Sequence, residues 1–186
     1  MLPDFDLIEK GDYSSFLEEK NIKSFHHLIQ FLQALPYGRT SKRADFTLQF
    51  LENCGTCSSK HGLLMQLCEL NEVKEIELMV GIFLMNEDYH PKLKPILEKY
   101  QLKSIPEAHC YLRHDGQRYD FTSSRSDVKQ FEPYLVREQR CDSQQVFDWK
   151  PMIHKHYLGG WLTRNNLQYS IEELWDIREE CILALS

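Results

Sequence analysis

The sequence predicts an α+β fold on three observations. Apolar residues recur at helical spacing through the first seventy residues, the period changes to that of strands between about 76 and 122, and helical spacing returns toward the C-terminus. The first helix with a clear start is "SFHHLIQFLQALPYGRT": Ser24 is a natural N-cap, Phe25, Leu28, Ile29, Leu32 and Leu35 share one face, and Pro36 ends the pattern. A second helix is expected from Lys42 to about Glu52, with Ala44, Leu48 and Leu51 on its inner side. A third runs from about Cys57 to Leu70 and carries Leu63, Leu64, Leu67 and Leu70.

The run "IELMVGIFLM" (76–85) is apolar on both alternating faces, as in a central strand covered on two sides. Residues 86–106 are a polar excursion with room for one short helix. "EAHCYLRHDGQRYDFT" (107–122) then reads as two strands joined at Asp115-Gly116, a strong hairpin signal because both residues tolerate the left-handed conformation of a tight turn. The remainder is expected to be helical, ending in "SIEELWDIREECILAL", where Ser170 and Glu173 form a capping box ahead of Leu174, Ile177, Cys181 and Leu185.

Length and charge narrow the function. The 186 residues suit a single domain, 1–186, and no repeat or linker of domain-boundary size interrupts them. Twenty-two basic against 28 acidic residues give a net charge of −6, and Lys42-Arg43, Arg113, Arg118, Arg137 and Arg140 are scattered, which disfavours nucleic acid as a partner. The acidic N-terminus lacks the features of a signal peptide, and Leu78–Met85 is too short an apolar run to cross a membrane. A cytoplasmic protein whose cysteines (54, 57, 68, 110, 141, 181) are thiols is the expectation.

The chemistry gathers at "ENCGTCSSKHGLL" (52–64). Cys57 opens a helix, where unpaired N–H groups and the positive end of the dipole favour thiolate over thiol. A nucleophile needs a base, and the base needs an orienting partner. The hairpin offers both: with Asp115-Gly116 at the turn, His114 faces Gln117, Tyr111 faces Asp120 and His109 faces Thr122. His109 and Asp120 then lie on one sheet face as diagonal neighbours about 7–8 Å apart. That face carries Tyr111, Arg113, Arg118 and Thr122, whereas Ala108, Cys110, Leu112, Tyr119 and Phe121 face a core. A one-residue slip in the turn would separate the pair.

Other roles compete for the same residues. Cys54-x-x-Cys57 has redox spacing, but what precedes it is helical rather than the β-α-β context of a thioredoxin-like dithiol. Zinc would need two further ligands, for which His61, Cys110 and His109 are the candidates. His61 lies beside Cys57 on the same helix and reads as a solvated or supporting residue. His26-His27 and His154-x-His156 read as exposed, and Trp149, Trp161 and Trp175 as core. Cys57 itself also reads as a small buried hydrophobe, and His109 and Asp120 as polar residues on a solvated hairpin face.

A thiol at a helix start, then a histidine on one strand and an aspartate on the next, resembles the transglutaminase-like family, which shares the papain-like core. The carrying residues are "GTC" (55–57), "AHCYL" (108–112) and "YDFT" (119–122), with "LPYGR" (35–39) resembling the helix end that precedes the family's nucleophile segment. The likeness covers roughly 25–125, and residues 126–186 are a helical C-terminal part with no matched motif. Where the family usually has an aromatic, often tryptophan, two residues after its histidine, this chain has Tyr111.

The resemblance implies Cys57 as nucleophile, His109 as general base and acid, and Asp120 as the residue that fixes the imidazole. The Cys57 N–H is the natural first oxyanion donor, with Asn53 and Tyr37 as candidates for the second and Tyr111 as a further contact. It implies peptidase, amidase or transglutaminase-like acyl transfer without a cofactor or metal, acting on a peptide, protein or small amide. The rival is a module on the same fold that binds a protein or peptide without catalysis. A third reading is a metal- or redox-responsive protein built on Cys54 and Cys57.

Overall fold

A computed structural model of the chain describes residues 2–185. Its helices are α1 (Ser14–Glu19), α2 (Phe25–Ala34), α3 (Leu48–Leu51), α4 (Cys57–Leu70), α5 (Lys94–Lys99), α6 (Val128–Phe131), α7 (Val146–Arg164) and α8 (Ile171–Leu185). Its strands are β1 (Ile76–Met85), β2 (Ile105–His114), β3 (Gln117–Tyr119) and β4 (Leu135–Arg140), in the sheet order β3-β2-β1-β4. The architecture is mixed α+β with helices at the C-terminal end.

The chain divides into two compact units that interleave along it. The first comprises Met1–Val80, Cys110–Val128 and Gln139–Phe147; the second comprises Gly81–His109, Lys129–Glu138 and Asp148–Ser186. In the first, α4 is the central element and α2 packs against it. Leu63, Leu64, Leu67 and Cys68 of α4 are fully buried together with Phe25, Leu28 and Leu32 of α2. Ser24 caps α2 as expected, accepting a bond from the His27 N–H. Leu70, read as part of the inner stripe of α4, is more than a third exposed.

The helix expected over 42–52 shrinks to α3, preceded by turns. Ala44 and Leu51, expected on its inner side, are exposed, and Phe46, Gln49 and Phe50 are buried in their place. Phe50 lies between the rings of Phe16 and Phe31, at 5.2 and 5.3 Å. Aromatic packing selected a face that a short apolar pattern misassigned.

Strand β1 spans the expected residues, is interior in the sheet order and is buried along nearly its whole length. The β2–β3 hairpin is antiparallel, with His114↔Gln117, Arg113↔Arg118 and Leu112↔Tyr119 paired, which is the expected register. Asp115 (φ 48°) and Gly116 (φ 73°) both take the left-handed conformation that the two-residue turn demands. Across from Arg118, Arg113 is neutralised by Glu77 on β1, its Nε donating to Oε2 at 2.8 Å.

In the second unit, α5 packs on α8, with Leu97 and Ile177 among the buried residues. Ser170 and Glu173 form the expected capping box at the start of α8. The polar excursion contains α5 and a short 3-10 turn before it. The stretch after residue 126, expected to be helical, also contains strand β4. Its sequence, "LVREQR", offers a single apolar pair and no alternation, so its strand character comes from its place beside β1 at the sheet edge.

Candidate functional site

Cys57 is the first residue of α4 and is buried, with 5% of its surface exposed. Thr56 precedes it in an extended conformation as N-cap: its side chain accepts from the Ser59 N–H, and the Ser59 hydroxyl accepts from the Thr56 N–H. This reciprocal cap fixes the first turn and places Cys57 at the positive end of a 14-residue helix. The Cys57 Sγ lies 4.0 Å from Ser58 Oγ, which in turn is 3.6 Å from Cys110 Sγ.

The segment before the helix is held by the turn that follows α2. Tyr37 and Gly55 form an isolated parallel bridge in which the Gly38 N–H donates to Gly55 O and the Gly55 N–H to Pro36 O. "LPYG" therefore lies beside "CGTC". A Cβ on Gly55 would fall 2.6 Å from Gln49 Oε1 and 3.0 Å from Lys60 Cγ, so only glycine fits without displacement. Tyr37 is half-exposed on this bridge, and Asn53 is exposed in a left-handed turn (φ 52°) two residues before it. Cys54, between them, is half-buried beside Gly38.

Asp120 follows immediately after β3. The expected pairing of Tyr111 with Asp120 and of His109 with Thr122 does not form, because β3 ends at Tyr119 and residues 120–122 leave the ladder. Their backbone binds α4 instead: the Phe121 N–H donates to His61 Nε2 at 2.8 Å, and Thr122 O accepts from Lys60 Nζ at 2.7 Å. The Asp120 carboxylate closes its own turn, Oδ1 accepting from the Thr122 N–H at 2.9 Å and from the Thr122 hydroxyl at 2.6 Å.

His61, read as solvated or supporting, is fully buried and joins the two segments. Because Nε2 accepts from Phe121, the ring proton sits on Nδ1, which donates to Cys57 O at 2.9 Å. His61 is thus a neutral strut between the helix start and the Asp120 turn. Its 3.7 Å approach to Asp120 Oδ1 is a contact rather than an ion pair. With both nitrogens committed, His61 is neither a rival base nor a spare metal ligand. Among the described residues no three His, Cys, Asp or Glu side chains form a group that could hold a metal ion.

Lys60, to which the sequence pattern assigns no role, lies one turn ahead of Leu63 and Leu64 on the buried stripe of α4. It is fully buried, and its ammonium donates to Leu35 O at 2.6 Å as well as to Thr122 O. Burial pushes it down to about 8, against the opposing pull of Cys54, Asp120 and Cys57. Gln49, also fully buried, donates to Ser59 O at 2.9 Å.

His109 lies on β2 in the second unit, half-buried. Its ring stands edge-on to Phe131 at 5.1 Å and to Phe83 at 6.4 Å. Phe83 extends the aromatic group to Tyr89 at 5.0 Å, and Tyr89 meets Tyr134 at 6.2 Å. Tyr89 and Tyr134, with Pro133, line a cleft of about 290 Å³ in the same unit, bordered by Asp88, His90 and Lys129. Tyr111, placed by the sequence on an amphipathic face, is wholly buried. Successive positions of β2 are buried along most of its length, so both of its faces are covered, which the hairpin pattern alone did not show.

The second unit also holds a buried ion pair. Glu107, one turn of the strand pleat from His109, takes two bonds from the guanidinium of Arg178 on α8, one of them Nη2 to Oε1 at 2.6 Å. Burial pushes the Glu107 carboxyl up, but the charge and hydrogen bonds of Arg178 outweigh it and hold the group below its ordinary value. His154, read as exposed, is 1% exposed and bonds Pro106 O through Nε2 at 2.9 Å, its ring against Trp175. Burial lowers its proton affinity, with Glu107 opposing.

The structure therefore ties Cys57 and Asp120 to one helix of the first unit through His61 and Lys60, and sets His109 in an aromatic surround in the second. No protein-family profile, curated protein or solved structure matches this chain.

Proposed function

We propose that this chain carries out cysteine-dependent amide chemistry on a papain-like, transglutaminase-like core. The observation that carries the reading is the position of Cys57: a buried thiol at the first residue of a 14-residue helix whose N-terminus carries a reciprocal cap. Cys57 is the nucleophile, His109 the general base and acid, and Asp120 the orienting carboxylate.

In the first half-reaction the Cys57 thiolate adds to the carbonyl carbon of an amide. The negative charge moves to the carbonyl oxygen, where the Cys57 N–H is the natural donor. Protonated His109 gives its proton to the leaving nitrogen as the C–N bond breaks, leaving a thioester on Cys57 and a free amine. In the second half, His109 removes a proton from water or an incoming amine, which attacks the thioester carbonyl; the C–S bond then breaks, its electron pair returns to Cys57 as the thiolate, and the acyl group leaves as an acid or a new amide.

The second reading is a binding module on the same core that holds a protein or peptide without catalysis. The closure of the Asp120 turn by Thr122 favours it, because it already commits one carboxylate oxygen. An activated ester separates the two. With p-nitrophenyl acetate, the enzyme releases a burst of nitrophenol close to one per chain. A Cys57→Ala variant shows none, and His109→Ala slows the steady phase that follows. A wild-type protein without a burst means the binding module.

A further inference from the structure

Lys60 stands outside the Cys57–His109–Asp120 assignment, yet it is a fully buried charge of the first unit with two backbone carbonyls as partners. Its side chain runs beneath Gly55, where an added Cβ would meet its Cγ at 3.0 Å and its Cε at 3.1 Å. Its ammonium then reaches carbonyls from two other segments, Leu35 O ahead of the Tyr37 bridge and Thr122 O after Asp120. Three stretches are thereby fixed on one lysine: the turn at 35–38, the approach to Cys57 at 54–56, and the turn at 120–122. A neutral side chain of the same length would leave two interior carbonyls without this donor.

Three groups able to carry negative charge act on it. Cys54 and Cys57 face it from the segment and helix start before it, and Asp120 from the turn after β3. His61, next on the helix, is neutral by its hydrogen bonds, and Tyr37 on the facing bridge is half-exposed. Two carbonyls accept from the ammonium and favour its charged form, against burial, which brings it down to about 8. A fixed cation out of contact with water, one turn along the helix from a thiol, favours the thiolate.

We propose that Lys60 is a positioning residue of the cysteine site: it clamps the three segments that frame Cys57 and supplies the interior positive charge that favours its thiolate. This rests on the reading of Cys57 as nucleophile. It adds a source of activation on the nucleophile's own helix, independent of His109.

The test is the pH profile of Cys57 alkylation by iodoacetamide in the full chain, with Cys54→Ser throughout so that one thiol is read. With Lys60 intact the midpoint falls below the ordinary value of about 8.5. Lys60→Met raises it by about one pH unit, roughly a tenfold loss of rate near neutrality, and Lys60→Arg recovers part of the shift. A low midpoint that Lys60→Met leaves in place overturns the role of Lys60 alone. An ordinary midpoint with Lys60 intact overturns the cysteine chemistry itself. If Lys60→Met does not fold, a ¹³C-lysine titration decides: the Lys60 midpoint drops in Cys57→Ser if the two groups are coupled, and an unchanged midpoint overturns the proposal.

Discussion

His61 and Lys60 show how much of the site is decided one residue at a time. They are adjacent on α4 and both fully buried, yet one is a neutral strut and the other a clamp that carries charge. Their roles follow from which backbone groups they meet, the Phe121 N–H in one case and two carbonyls in the other. The same logic governs the buried pair in the second unit. Arg178→Met leaves Glu107 without its counter-ion, and urea unfolding at pH 7 should show a loss of about 3–5 kcal/mol. The sign of the pH effect is also fixed. Glu107 is held below its unfolded value, so its contribution is present above about pH 4.3 and is lost as pH falls through the lower folded value. In Arg178→Met the unpaired carboxyl prefers its proton, so the gap between the two proteins narrows in acid. A gap that stays constant from pH 7 to pH 3.5 contradicts the assignment. His154 acts at a higher pH: with its folded affinity lowered, the neutral ring costs stability as pH falls below about 6.5.

At the level of elements, what the sequence disclosed was what local patterns encode. The start and end of α4, the span of β1, the hairpin register and the α8 capping box all follow from short-range chemistry, and all appear where expected. What it hid depends on tertiary partners. Strand β4 has no alternation of its own, Tyr111 and His154 are buried by neighbours distant in sequence, and the ladder stops at Tyr119 because α4 takes the backbone of residues 121–122. The face of α3 was misread because only four residues are helical and aromatic packing decides which side is inner. Gly55 joins these elements, and a methyl group there collides with Gln49 and Lys60. Gly55→Ala should lower stability by about 1–3 kcal/mol in thermal or denaturant unfolding, and it should slow Cys57 alkylation more than a distant substitution of equal cost. Equal rates at equal destabilisation would mean that the bridge at Gly55 does not shape the site.

Across the whole molecule, the two units draw on interleaved segments, so the candidate residues reach their places by topology rather than proximity in sequence. No helix among the described residues is long and apolar enough to cross a membrane, and the negative net charge is spread without a basic run. The six cysteines have unequal prospects as nucleophiles. Burial raises Cys68 and Cys181, the latter to about 11, with nearby carboxylates adding to the effect, so neither competes for an alkylating reagent near neutrality. Cys54, half-buried, is the thiol to remove before Cys57 is read. The measurement that bears most directly on the central claim is therefore the pH dependence of Cys57 alkylation in a Cys54→Ser background, with and without His109→Ala. A midpoint well below about 8.5 that rises when His109 is lost is the predicted result, and it identifies a thiolate–imidazolium pair. A midpoint at or above that value, indifferent to His109, would contradict the account and leave the chain a binding module.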